Sequence, residues 1–194
     1  MFGLLLRTIQ AYLRGTFGPA VWARVLRAAG QPPEGFEPML PYDARAVGRV
    51  LAAAAQELHR PAEAILEDVG TFLVADPGHR ALRRLLRFGG AGFADFLHSL
   101  EELPDRARLA LPGLRLPQVT LAEIGPGRVR LAVTGALPAL LPVALGALRA
   151  MADDYGALVL IELEQEPGAA VLTVQLLEAA HGEGQRFALV ADGR

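Results

Sequence analysis

The 194-residue sequence contains no cysteine, and all nineteen of its basic residues are arginine. Without cysteine, the chain has no disulfides, no thiolate metal ligands and no cysteine nucleophile. Twenty-one acidic residues leave a net charge of -2, and no basic cluster is larger than Arg80–Arg87. The sequence therefore lacks the electrostatic footprint of a nucleic-acid-binding protein.

Long uninterrupted hydrophobic runs are also absent. The apolar stretch Ala136–Leu148 contains Pro138, Pro142 and Gly146, and it is shorter than the roughly twenty residues of a membrane span. The apolar N-terminus is interrupted by Arg7 and is not followed by a small-residue cleavage site. We expect a cytoplasmic protein that neither enters a membrane nor carries an export signal.

Catalytic signatures are missing as well. No G-x-S-x-G, H-E-x-x-H or phosphate-binding glycine loop occurs, and the glycine-rich stretch Gly89–Gly92 follows a predicted helix rather than a strand. The neighbouring pairs Glu101–Glu102 and Asp153–Asp154 diverge by about 100° on a helix, which is typical of solvated faces rather than acid/base pairs. We expect a protein that is not an enzyme.

What the sequence does contain is 52% hydrophobic residues, which is ample for a buried core. Periodicity and breaker residues predict five helices in the first half of the chain, at residues 4–14, 20–29, 44–58, 61–74 and 81–88. Asp43 is the predicted N-cap of the third. The arginines Arg83, Arg84 and Arg87 of the fifth are interpreted as a solvated helix face, because charge runs on helices usually face water.

A central helix is predicted from Phe93, where apolar residues recur at helical spacing as far as Leu103. The same spacing places Pro104 on the buried side of the helix and His98 on the solvent side. Because proline cannot donate a backbone hydrogen bond, we expect a kink or a new segment at Pro104, with Asp105 in its first turn.

Alternating apolar residues then predict an antiparallel sheet of about four strands. Its strands are predicted at residues 128–133, 157–164, 170–178 and 186–191. A helix at residues 138–154 is inserted between the first two and stops at Gly156. The predicted fold class is α+β, with N-terminal helices, a central helix and this sheet.

The central stretch resembles the heme-nitric oxide/oxygen binding domain, H-NOX, of bacterial gas sensors and of the beta subunit of soluble guanylate cyclase. The family pattern F-L-x-x-L-x-x-L-H followed by P-x-[LM]-R-x-P is matched without a gap, and the matching residues are Phe96, Leu97, Leu100, Leu103, Pro112, Leu114, Arg115 and Pro117. The N-terminus matches too, through Met1, Gly3, Leu4, Phe17, Gly18 and Trp22. The histidine that holds the heme iron in the family corresponds to Pro104.

The second motif of the family is a Y-x-S-x-R signature that holds the heme propionates. With Gly146 and Leu140 in register, this signature falls on Val133, Gly135 and Leu137. Proline offers iron no lone pair, and valine, glycine and leucine give carboxylates no charge-assisted hydrogen bond. The resemblance thus implies the family's fold without its usual heme site, and we expect no cofactor, with heme disfavoured.

The resemblance implies a ligand pocket formed by Leu100, Leu103, Pro104, Val133, Gly135, Leu137 and Leu140. We interpret the chain as a heme-independent sensory or regulatory module that acts through an apolar pocket or a protein surface. The alternative is a nitric oxide or oxygen sensor with substitute ligation of heme, for which His98 and His79 are the first candidates and Met151 and Tyr155 more remote ones. A pocket for another tetrapyrrole or a fatty acid is a third reading.

The implied partners are a signalling protein, such as a histidine kinase or a cyclic-dinucleotide enzyme, and an apolar small molecule. Residues 1–194 are expected to form one domain. Within it, the sequence predicts a helical subdomain at about residues 1–58 and a pocket-forming α+β subdomain at about residues 61–191.

Overall fold

The computed structural model describes residues 2–110, 116–135, 138–166 and 169–184 of the chain. Those residues form eight α-helices and four β-strands. In chain order they are α1 (Phe2–Phe17), α2 (Pro19–Ala28), α3 (Ala44–Leu58), α4 (Ala62–Ala75), α5 (Arg80–Arg87), α6 (Phe93–Ser99), α7 (Leu103–Ala110), β1 (Gln118–Gly125), β2 (Arg128–Thr134), α8 (Leu140–Tyr155), β3 (Leu158–Glu166) and β4 (Ala169–Glu178).

The ends of the predicted helices follow the capping residues. The Asp43 carboxylate accepts a hydrogen bond from the backbone N–H of Arg45 at 3.0 Å, as the predicted N-cap of α3 requires. Helix α8 ends at Gly156, whose φ of 72° is the left-handed conformation that glycine adopts without strain. The α+β fold class is confirmed.

The sheet is entirely antiparallel, with the strand order β1-β2-β4-β3. Strand β1 was not predicted, because only two of its eight side chains are even partly buried and the alternation of apolar residues is weak. The predicted strand at residues 186–191 lies outside the described residues. The apolar face of the sheet is built from cross-strand neighbours, and Leu131 of β2 and Leu163 of β3 both pair with Leu172 of β4.

Buried apolar side chains form two clusters. The first joins α1 to α4 and includes Leu6, Ile9 and Ile65. The second joins the sheet to α5, α6 and α8 and includes Leu131 and Met151. Helix α4 contributes to both clusters, since Val69 belongs to the first and Val74 to the second. The subdomain boundary near residues 58–61 stays a prediction.

Helices α4 and α8 cross with their backbones in contact. A Cβ atom on Gly146 would lie 1.8 Å from the carbonyl oxygen of Glu67, and one on Gly70 would lie 2.0 Å from that of Val143. The Thr71 hydroxyl also lies 3.4 Å from the carbonyl oxygen of Gly146. Only glycine allows this approach at either position, because any side chain would force the helices apart.

A polar cluster links α1 and α4 beside the first of the two apolar clusters. The Tyr12 hydroxyl donates to Asp68 Oδ2 at 2.8 Å, and Arg60 pairs with the same carboxylate oxygen. Burial, followed by the hydrogen bond to Asp68, raises the pKa of Tyr12 to about 12. Deeper in the core, Gln10 Oε1 accepts a hydrogen bond from the backbone N–H of Phe36 at 3.0 Å, which satisfies both buried groups.

None of the helices in the described part of the chain has the length and apolarity that a bilayer span needs.

Candidate functional site

The candidate site is a cavity between helices α4 to α8 and the apolar face of the sheet. Its volume is about 270 Å³, close to the roughly 300 Å³ at which small-molecule sites begin. Every lining residue that the structure describes is apolar. The lining comes from α4 through Leu73 and Val74, from α5 through Leu82 and Leu86, and from α8 through Ala144, among others.

Five of the seven sequence-predicted pocket residues line this cavity. They are Leu100, Leu103, Pro104, Val133 and Leu140. Gly135 lies just beyond the end of β2 with a φ of 70°, and it is not among the lining residues. Leu137 lies outside the described residues.

Pro104 divides the predicted central helix into two. Helix α6 ends at Ser99, a turn follows, and α7 begins at Leu103 with Pro104 in its first turn, where a missing backbone N–H costs nothing. The turn is held by a backbone hydrogen bond of 3.2 Å from Leu103 to Leu100 and by Arg106, which donates to the Ser99 carbonyl at 2.9 Å. The proline ring is buried and lines the cavity.

The two histidines considered as substitute ligands lie outside the cavity lining. The side chain of His98 is half exposed, and its Nε2 atom lies 3.2 Å from a carboxylate oxygen of Glu123 on β1. His79 packs edge-on against the Phe72 ring, with centroids 5.0 Å apart, and its Nδ1 atom lies 3.6 Å from Asp76. The structure therefore brings neither imidazole to the apolar cavity.

Met151 and Tyr155, the more remote candidates, have different environments. Met151 is fully buried on α8 and lines the cavity. Tyr155 lies four positions later on α8 and outside the lining. It packs against Phe93 and Phe96, and its hydroxyl donates to the Gly90 carbonyl at 3.1 Å. Burial raises the pKa of Tyr155.

Sequence reasoning missed the side of the cavity made by α4, α5 and the remaining strands. Leu82 and Leu86 lie four positions apart on α5, which was the available signal for a shared apolar face. Val119 of β1 and Leu172 of β4 complete the opposite wall. These two residues meet at the cavity because their strands belong to one sheet, although the strands are distant in sequence. The spacing of residues along a single strand does not predict which strands pair.

The interpretation of the arginines on α5 as a solvated face was wrong for two of the three. Arg83 Nη2 lies 2.5 Å from Asp154 Oδ1 and Arg87 Nε lies 3.4 Å from Asp154 Oδ2, while the Asp154 side chain is only 3% exposed. The Arg87 guanidinium also lies 4.0 Å above the Tyr155 ring. The interpretation of Asp154 as part of a solvated carboxylate pair was wrong for the same reason, because a buried carboxylate needs cationic partners.

In the described part of the chain, eight helices and an antiparallel sheet form an α+β domain with an apolar cavity between its sheet and helices α4 to α8. The sequence model described as Haem-NO-binding matches residues 2–163. The chain therefore belongs to the Haem-NO-binding, or H-NOX, family. Members of this family are sensory modules rather than enzymes, normally bind heme and generally act with signalling proteins.

Solved H-NOX structures share the fold over nearly their whole length. A point mutant of the H-NOX protein from T. tengcongensis has a TM-score of 0.74 at 17% identity, covering 92% of this chain and 99% of that one. An H-NOX protein from S. oneidensis in the Fe(II)NO state has a TM-score of 0.73 at 16% identity, covering 91% and 99%. An oxygen-binding H-NOX domain related to soluble guanylate cyclases, in its oxygen complex, has a TM-score of 0.68 at 16% identity, covering 96% and 100%. At these identities the likeness concerns the fold alone.

Proposed function

We propose that this H-NOX domain is a heme-independent sensory module that binds a small, uncharged apolar molecule in the cavity beside Pro104. The observation that carries the proposal is the cavity itself, which has a volume of about 270 Å³ and an apolar lining throughout the described residues. An uncharged hydrocarbon-like ligand gains free energy from leaving water and leaves no polar group unpaired in such a site.

The described residues do not fit heme. In the sequence motif, Pro104 corresponds to the family's iron ligand, and proline has no lone pair to offer iron. The two propionates of heme need charge-assisted hydrogen bonds, and no described lining residue has a polar side chain. A heme would also need more room than a cavity at the lower end of the range of small-molecule sites.

One observation favours the alternative, a heme-binding nitric oxide or oxygen sensor with substitute ligation. Met151 lines the cavity and is fully buried, and a thioether is one of the axial ligands that heme iron accepts. No described lining residue offers a polar side chain to a carboxylate. This weighs against the alternative and equally against another tetrapyrrole or a fatty acid, because each carries a carboxylate that is costly to bury unpaired.

Helix α5 connects the cavity to an ion pair outside it, so ligand binding could be transmitted through this helix to the protein surface. Leu82 and Leu86 of α5 line the cavity, while Arg83 and Arg87 of the same helix hold Asp154 near the end of α8. A ligand that displaces the two leucines would move α5 relative to α8 and strain this ion pair. In this proposal, the partner that responds to the movement of α5 is a signalling protein such as a histidine kinase or a cyclic-dinucleotide enzyme.

The proposal is tested with N-phenyl-1-naphthylamine, an uncharged apolar fluorophore whose emission rises out of water. We expect saturable emission with the wild-type protein and loss of most of it in A144F, because a phenyl ring at Ala144 fills the cavity. The matched control is A52F, which places the same ring at an exposed alanine of α3. If A144F does not fold, V133F fills the cavity from the sheet side.

Hemin added to the same proteins distinguishes the alternative. We expect a visible spectrum no different from that of free hemin, and no change in it with nitric oxide. An intense Soret band at one heme per chain that is lost in M151L would establish the heme sensor instead. Equal dye emission from wild type, A144F and V133F would contradict the cavity as the ligand site.

A further inference from the structure

The charges of this chain are segregated along the sequence. The first 33 residues contain four arginines and no acidic residue, whereas the rest of the chain carries an excess of acidic residues. One of the four is neutralised, because Arg24 Nη2 lies 2.7 Å from Glu57 Oε1 on α3. Arg7, Arg14 and Arg27 are exposed and form no ion pair with any residue that the structure describes. Helices α1 and α2 therefore present a positively charged face on a protein of net negative charge.

A groove of about 430 Å³ lies in this face, and we name it the α1–α2 groove. Arg14 and Arg27 form its charged rim, together with the amide of Gln31. The rest of its lining is apolar, and we name it the floor: Trp22 and Leu26 are buried, and Pro19, Ala23 and Pro33 are exposed. Trp22 is only 4% exposed and packs edge-on against the Phe36 ring, with centroids 6.1 Å apart.

This combination of rim and floor selects one kind of occupant. A guanidinium binds a carboxylate through paired N–H donors, and an apolar floor between two guanidinia accepts one projecting aliphatic or aromatic side chain. Because Trp22 lies at the bottom of a concave surface rather than projecting from it, the groove is poorly shaped for insertion into a lipid bilayer.

We propose that the α1–α2 groove docks an acidic segment of a partner protein, in which an apolar side chain stands between carboxylates. The apolar residue fills the floor above Trp22, and the flanking carboxylates pair with Arg14 and Arg27. The groove is separate from the apolar cavity, since the two have no lining residue in common. The docking proposal therefore rests on different residues from the proposed ligand site.

Peptide binding can be followed by the fluorescence of Trp22, because it is the only tryptophan in the sequence and lines the groove. The probe is a capped twelve-residue peptide in which glutamates flank single leucines. We expect a saturable change in tryptophan emission with a Kd in the micromolar range, and weaker binding as salt is raised. The same peptide with lysine in place of glutamate should give no response.

Charge reversal locates the site. The R14E/R27E variant should bind the acidic peptide at least roughly ten-fold more weakly, since each substitution replaces an attractive pair by a repulsive one. R80E is the matched control, because Arg80 is exposed on α5 and outside the groove. If the double variant does not fold, R14Q and R27Q are measured singly, and each is expected to weaken binding.

Three results would overturn the proposal. The first is no change in emission with 1 mM acidic peptide. The second is equal binding by wild type, R14E/R27E and the single variants, which would place the peptide elsewhere. The third is an emission change with vesicles of phosphatidylglycerol but none with the peptide, which would replace the partner protein by an anionic lipid surface.

Discussion

At the scale of single residues, Asp154 shows how one buried charge organises the junction between two helices. It lies near the end of α8, and both of its cationic partners come from α5, some seventy positions earlier in the chain. A buried carboxylate is costly to desolvate, and removing one member of such a cluster leaves the remaining charges uncompensated. Asp153, the neighbouring residue, is exposed.

The substitution D154N tests this arrangement. It preserves the shape of the side chain but removes the negative charge that lies beside Arg83 and Arg87, so we expect the free energy of unfolding to fall by about 3 kcal/mol. The matched substitution D153N removes the same charge from an exposed position and should change it by no more than about 0.5 kcal/mol. Urea denaturation of both variants measures the difference, and equal losses would show that Asp154 has no special role.

At the scale of secondary-structure elements, the close crossing of α4 and α8 determines the geometry of the cavity. Both helices line it, through Val74 on one and Ala144 and Leu148 on the other. Their approach depends on Gly70 and Gly146, each of which lies against the backbone of the opposite helix. The helix pair thus fixes the position of one wall of the cavity, and α5 is joined to α8 through the contacts of Arg83 and Arg87 with Asp154.

Substitution of Gly146 measures how much the close backbone contact between α4 and α8 contributes to the free energy of unfolding. Alanine is a better helix former than glycine by about 1 kcal/mol, but a methyl group at Gly146 collides with the Glu67 carbonyl. We therefore expect G146A to lower the free energy of unfolding by about 2 kcal/mol.

The control for this substitution lies in α3. Gly48 is exposed and has open space around the position of a Cβ atom, so G48A should stabilise the protein by about 0.5–1 kcal/mol. Thermal and urea denaturation of the two variants would contradict our account of the crossing if both alanines shifted stability in the same direction.

At the scale of the whole molecule, the fold could be predicted from the sequence wherever local signals are strong. Helix α3 has the predicted bounds because Asp43 caps it, and the break before Pro104 follows from the chemistry of proline. Strand β1 could not be predicted, because it is an edge strand whose side chains are mostly exposed.

The candidate site could be predicted only in part. Motif positions located Pro104, Val133 and Leu140, which do line the cavity. The walls from α5 and β4, the volume of the cavity and the pairing of Arg83 with Asp154 arise from contacts between distant parts of the chain. Neither helical spacing nor strand alternation carries that information.

The composition of the whole chain makes its alkaline unfolding unusually simple to interpret. Lysine and cysteine are the groups that ordinarily titrate together with tyrosine at high pH, and this sequence has neither. The pKa of Tyr12 is raised to about 12 by burial and by the hydrogen bond to Asp68, and burial also raises the pKa of Tyr155. Loss of stability at high pH should therefore report mainly on these tyrosines.

The direction of the effect follows from proton binding. Between pH 10 and 12 an unfolded chain releases the Tyr12 proton at a pKa of about 10.0, while the folded protein retains it up to about 12. The unfolded state then binds fewer protons, so the contribution of Tyr12 to stability is complete below pH 10 and is lost as the pH rises toward 12. Urea denaturation at pH 9, 10, 11 and 11.5, with tyrosinate absorbance at 295 nm, should show this decline in wild type and a shallower one in Y12F. Identical slopes in wild type and Y12F would exclude the Tyr12–Asp68 hydrogen bond as a source of the pH dependence.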